Sequence, residues 1–242
     1  MTGRALHLLF AFALSCAPAR AAPWPSATAT TWPVLRGALE RQRESRPREP
    51  WAAGLRITMR DPVSGRVIDG RGAIAVAPGE AVRMILVGAA GATMLDAWVT
   101  PGRWRIAVPP LEVIRRGGAE EPRDMPVGFL RWWLLTPLSG RPFAAASVDG
   151  GFLWLLRERD AVIELRQGSC SRGCLLQATR RAAGHAETVE ECREQGTPGV
   201  GDSARYVDES SGLRVDLSLE SIAASPPRGE AFQDPDASGS GT

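Results

Sequence analysis

Apolar positions along this chain follow two periods. Before residue 45 they recur at helical spacing. Val34, Leu35, Ala38 and Leu39 of VLRGALERQR fall on one side of a short N-terminal helix, which RPREP ends. After residue 50 the period is two. LRITMR sets Leu55, Ile57 and Met59 on one face and Arg56, Thr58 and Arg60 on the other. DPVSG turns the chain into RVIDGRGAIAVA, whose glycines predict a bent strand, and APGE turns it again into RMILVGAAGATMLDAW.

That last stretch fixes a register. Folding about residues 89–91 pairs Leu86 with Leu95 and Met84 with Ala97. A second turn, Thr100 to Gly102, pairs Val99 with Trp104, Ala97 with Ile106 and Leu95 with Val108. Together the turns gather Met84, Leu86, Leu95, Ala97, Val99, Trp104, Ile106 and Val108 on one surface, the inside. The opposite face holds Arg83, Asp96, Arg103 and Arg105, with Ile85, Val87, Met94 and Trp98 among them. It faces solvent, yet it is unusually apolar.

After PPLEVIRRGGAEEPRD comes MPVGFLRWWLLTPLSGRP, which predicts a helix started by Pro126 and stopped before Pro137. Phe129, Leu130, Trp132, Trp133, Leu134 and Leu135 make it apolar nearly all round, so something must cover it. RPFAAASVDGGFLWLLRERDAVIELRQ supplies three further strands. Folding about 149–151 sets Phe152, Trp154 and Leu156 opposite Val148, Ala146 and Ala144, and large residues facing alanines leave room above the sheet. LLQATRR, ETVEEC, ARYVDES and LRVDLSLE follow, and the polar 223–242 segment reads as a disordered tail. The pattern amounts to roughly eleven strands in a meander with one apolar helix inserted midway, an α+β chain that is mainly antiparallel β.

Composition narrows what such a sheet does. Of 242 residues 44% are hydrophobic, and 29 basic against 27 acidic residues leave a net charge of +2. That balance suits a folded domain and gives nucleic acid no basic surface to read. The N-terminus is an export signal: one arginine, then ALHLLFAFALS, too short to stay in a bilayer. Two processing routes remain open. ALSC places Cys16 where a bacterial lipoprotein is lipidated, making 1–16 the signal and 17–33 a Pro/Ala/Thr-rich tether before a domain at 34–222. Alternatively, Ala19-Arg20-Ala21 is a cleavage site that removes 1–21 and makes the protein soluble and periplasmic.

Export also sets the cysteine chemistry. Cys170, Cys174 and Cys192 lie close in sequence. In an oxidising compartment they predict one disulfide, from Cys192 to Cys170 or Cys174, which closes the longer loop. Zinc held by these cysteines and His185 would need a C-x3-C pair, which is not a standard knuckle spacing.

Catalytic signals are weak. His185 is the lone histidine after the signal and lies in RRAAGHAE. There is no G-x-S-x-G, H-E-x-x-H or phosphate-binding glycine loop. The acid pairs Glu120–Glu121 and Glu190–Glu191 read as solvated surface. The expectation is a binding protein with no catalytic residue, metal or cofactor.

The order of these features resembles that of the bacterial lipoprotein localisation family, the LolA/LolB-like proteins, with the outer-membrane receptor nearest. The likeness rests on a helix followed by strands; on VRMILVGAAGATMLDAWV, like a strand–turn–strand; on MPVGFLRWWLLTPLSGRP, like a Pro-initiated helix with a Trp and a closing Gly-x-Pro; and on DESSGLRVDLSLES, like a last hairpin. It departs at the turn, where residues 89–91 are Ala-Ala-Gly and lack the receptor's exposed leucine. The resemblance implies an incomplete (half) β-barrel with a hydrophobic cavity for acyl chains of lipoproteins or lipids. Its lining would be Met84, Leu86, Leu95, Ala97, Val99, Trp104, Ile106, Val108, Phe129, Trp132, Trp133, Phe152, Trp154 and Leu156. It also implies transport of lipoproteins to the outer membrane, an anchor at Cys16 and a periplasmic carrier as partner. The competing expectation is an envelope-assembly lipoprotein whose core is filled and holds no ligand.

Overall fold

A computed structural model describes residues 31–236, apart from 61, 63, 89, 120–126 and 195–197. The export signal with Cys16, tether residues 17–30, Pro126 and the Glu120–Glu121 pair lie outside the described residues.

One helix, α1 (Trp32–Glu44), precedes β1 (Trp51–Arg60), β2 (Val67–Ala77), β3 (Ala81–Val87), β4 (Thr93–Val99), β5 (Trp104–Val108) and β6 (Val113–Gly117). A π-helix (Phe129–Leu135) leads into β7 (Arg141–Val148), β8 (Gly151–Glu158), β9 (Ala161–Cys170), β10 (Gly173–Ala182), β11 (His185–Arg193), β12 (Ser203–Asp208) and β13 (Arg214–Ile222). All 13 strands join one antiparallel sheet, in the order β6 to β1 and then β13 back to β7. Two meanders therefore meet at β1 and β13, where Leu55, Ile57 and Met59 pair with Leu219, Leu217 and Val215. The π-helix lies in the connection between the two edge strands, β6 and β7, and packs against the inner face with α1. The result is an incomplete barrel of the α+β class.

The β3–β4–β5 register is the one the two turns dictate: Leu86 opposite Leu95, Met84 opposite Ala97, Ala97 opposite Ile106 and Val99 opposite Trp104. The inner residues of these strands are at most 6% exposed, and Val108 packs half-buried against them. Trp104 needs a glycine across the ladder. A Cβ on its partner Gly117 would come within 2.4 Å of the indole.

Three expectations change. The β7–β8 hairpin slips by one residue, pairing Trp154 with Ala145 and Phe152 with Ser147. Asp149 and Gly150, the latter at φ +80°, make the turn, and Gly151 starts the strand. Only a glycine fits there, since a Cβ would lie 1.8 Å from the Gln167 carbonyl oxygen of β9. The apolar helix is of π type rather than α, its end marked by the five-residue bond from the Thr136 amide to the Arg131 carbonyl at 3.2 Å. VIRRG, to which the sequence pattern assigns no element, forms β6, an exposed edge strand whose pairing with β5 leaves no alternation to read.

Of the polar 223–242 segment, residues 223–236 cross the outer face, and 237–242 lie outside the described residues. Its 3-10 turn, Gly229–Phe232, brings the Phe232 carbonyl to the indole N–H of Trp98 at 2.9 Å. Asp236 then accepts from Arg105 at 2.9 Å and Arg116 at 2.6 Å. This strap leaves Trp98 4% exposed on a face the sequence marks as solvent-facing but apolar.

One disulfide, Cys170–Cys192, ties β9 to β11 across β10. Cys174 is buried and free on the inner side, and burial pushes its thiol above the ordinary value. Strand alternation explains the choice. Cys174 points inward from β10, whereas Cys170 and Cys192 share the outer side.

Candidate functional site

The π-helix is held at both ends. At its start, Gly128 lies so close to Glu187 of β11 that a Cβ would come within 2.6 Å of Glu187 Oε2. That carboxylate is fully buried and engaged, accepting from Tyr206 at 3.0 Å and Arg180 at 2.7 Å. At its end, the Leu135 carbonyl accepts from the Gly79 amide at 2.9 Å. Arg43 of α1 donates to the Leu138 and Gly140 carbonyls at 3.1 and 2.6 Å. Midway along the helix, Arg131 binds the carbonyls of Thr100, Gly118 and Ala119. An apolar helix thus carries one buried arginine, and that arginine satisfies loop carbonyls rather than a ligand.

Beside this helix runs a small apolar groove of about 70 Å³. Phe129, Trp133 and Leu134 form its helix wall, and Trp51, Ile74, Ala204, Leu217 and Leu219 its sheet floor. Four prolines, at 47, 78, 137 and 198, help to frame the opening. Here β12 places only Ala204 opposite Leu217, so the floor dips where a larger side chain would fill it. At roughly 10–15 Å³ for each water, the groove holds a few waters, or a short length of hydrocarbon, as it stands.

Its mouth is charged. Arg46 stacks over Trp133, with its guanidinium carbon 4.7 Å from the ring centroid, and donates twice to Glu191 at 3.0 and 2.6 Å. Arg193, 3% exposed, reaches Glu191 at 3.9 Å and donates to the Ser45 hydroxyl at 3.0 Å. Burial first, and then the adjacent Arg46 charge, push the Arg193 guanidinium below its usual value, while Glu191 pulls it back. Asp202 is occupied elsewhere, by Arg172 at 3.4 Å and by the Gly199 amide at 2.7 Å.

Sequence reasoning missed this mouth. The sequence presents Glu190–Glu191 as a solvated pair, but β11 sends alternate residues to opposite sides. Glu190 is exposed, whereas Glu187, Val189, Glu191 and Arg193 face inward. The two-residue alternation in ETVEECR was the available signal, hidden because its inward positions are mostly charged.

Of the expected lining residues, Phe129 and Trp133 border the groove. Met84, Leu86, Leu95, Ala97, Val99, Trp104 and Ile106 are packed within the core, as are Trp132, Trp154 and Leu156. Val108 and Phe152 lie at its margin. A larger, polar recess of about 510 Å³ opens on the helix's other side, between Arg131, Trp132, Ser139, Glu158 and Arg180. Its charged lining is unsuited to hydrocarbon.

His185 sits at the start of β11, 18% exposed, with Nδ1 3.1 Å from the Ser210 hydroxyl and 3.6 Å from buried Asp208. It lines neither recess. Among the described residues, no group of three or more His, Cys, Asp and Glu side chains is placed to hold a metal ion.

No family model matches the sequence, and no curated protein does. Solved structures do match. A LolA superfamily protein from Nitrosomonas europaea superposes with a TM-score of 0.52 at 12% identity, covering 83% of this chain and 97% of that one. An outer membrane lipoprotein-sorting protein domain from Vibrio parahaemolyticus gives 0.51 at 9% identity, covering 82% and 95%. At such identities the likeness is one of fold alone.

Proposed function

We propose that this is an exported envelope protein that binds acyl chains of lipids or lipoproteins in the groove beside the π-helix. The observation that carries the reading is an apolar groove, floored at Ala204 and walled by Phe129 and Trp133, on a barrel shared with lipoprotein-sorting proteins. Binding needs no bond chemistry. Each buried methylene contributes about 0.8 kcal/mol, so a segment of one chain gives useful affinity. The groove as it stands takes only part of an acyl chain. Deeper entry requires the π-helix to move off the floor, with Arg43, Arg131 and Glu187 at its attachments.

Within this reading Cys16 carries a lipid anchor at the outer membrane, the protein works on the periplasmic side, and cargo arrives from a periplasmic carrier. The signal, the tether and the resemblance to the outer-membrane receptor support that placement. A second reading is a structural lipoprotein with a filled core. It is favoured by the packing around Ala97, which is fully buried. Binding of a fluorescent fatty acid, with loss in a variant that fills the groove at Ala204, tests the first reading against the second.

A further inference from the structure

The groove has an apolar interior and a mouth that carries two arginines, and the mouth bears on which amphiphile it takes. Arg46 and Arg193 both lean on Glu191, while Asp202 is already bound to Arg172 and to backbone amides. Two guanidiniums therefore lean on one carboxylate at the edge of a hydrocarbon-lined groove, with Asp202 acting on Arg193 only at longer range. Among the described residues, moreover, the Arg46 Nε–H is buried with no acceptor. A buried donor left unmatched is costly, and an added acceptor group at this point would relieve it. Arg46 is also fixed in place, stacked on Trp133, which is itself part of the groove wall.

Resting on the acyl-binding reading above, we propose that the ligand is an anionic amphiphile. Its carboxylate or phosphate head is received by Arg46 and Arg193 while its chain lies along Trp133, Leu217 and Leu219. The head competes with Glu191 for the two guanidiniums, so Glu191 sets the affinity from within the site. A neutral ester of the same chain gains the burial without the charge-assisted hydrogen bonds.

The test uses displacement of the neutral probe N-phenyl-1-naphthylamine from the purified protein by hexadecanoate, by its methyl ester and by inorganic phosphate alone. Hexadecanoate is expected to displace the probe at a concentration about tenfold or more below that of the ester, the size of one charge-assisted hydrogen-bond pair. Phosphate alone, without a chain, is expected to displace nothing. Arg46→Gln should bring acid and ester close together. Glu191→Gln should move them further apart, and this opposite sign keeps the proposal testable even if Arg46→Gln folds poorly. Equal displacement by acid and ester, unchanged in Glu191→Gln, overturns the anionic preference while leaving acyl binding standing. Displacement by phosphate alone would mean a bare anion site and also overturns the proposal. Failure of the probe and both amphiphiles to bind overturns the acyl-binding reading and this proposal with it.

Discussion

Two alanines on the inner face separate a ligand groove from a packed core. Ala97 is fully buried between Met84 and Ile106 across the ladder. Ala204 is half-buried at the groove floor, opposite Leu217. At Ala97 an indole has nowhere to go, and overpacking of this kind costs about 1–3 kcal/mol or more. For a domain of this size that lowers the melting temperature by roughly 2–12 °C. At Ala204 the indole enters existing space against Trp133 and Leu217, and the melting temperature is expected to stay near wild type. Binding responds in the opposite sense. Occupying the volume of about four methylenes removes about 3 kcal/mol of burial, so a fluorescent fatty acid should bind Ala204→Trp roughly 200-fold more weakly. Calorimetric melting and a fluorescence titration on the two variants read both quantities. A destabilised Ala204→Trp, alongside a wild type that binds no probe, would refute the groove and leave a filled core.

The other predictions concern what holds the barrel and where it sits. Replacing Cys170 and Cys192 by serine opens a loop with a sequence separation of 22. This should cost about 3 kcal/mol in a denaturant titration, and native Cys174 should resist thiol reagents until unfolding. Ending the chain at Ile222 removes the strap and should red-shift and quench-expose Trp98, read by acrylamide. Hydrogen bonds from Arg116 and Arg105 hold the Asp236 carboxyl below its ordinary value. The strap's ionic contribution is therefore present above the unfolded aspartate value near 3.8 and lost as pH falls through the lower folded value, so acid or high salt should expose Trp98. Cys16→Ala should abolish palmitate labelling and release the protein from membranes; unchanged fractionation would favour cleavage after Ala21.

How far the sequence carries the structure differs from element to element. The β3–β4–β5 register was legible because two short turns and a strict apolar alternation over-determine it. The β7–β8 register was not, because three candidate turn residues, Asp149, Gly150 and Gly151, sit together. The choice between them depends on a close approach by Gln167 from another strand. The strap was hidden for a similar reason. Its aspartates and Phe232 read as polar tail until the arginines of β5 and β6 and Trp98 of β4 are placed under them. The groove itself was half visible. Phe129 and Trp133 stand out in FLRWWLL, but its floor is built from β1, β2, β12 and β13, and its mouth from inward charges on β11. Those residues meet only through the sheet order, which places β13 beside β1.

The most direct measurement of the central claim is mass spectrometry of what the protein carries when purified without detergent and extracted with organic solvent. The account predicts fatty acid or phospholipid released by the wild type in amounts approaching stoichiometry, and sharply less from Ala204→Trp. An extract free of acyl lipid, from protein that also fails to take up added fatty acid, would contradict it.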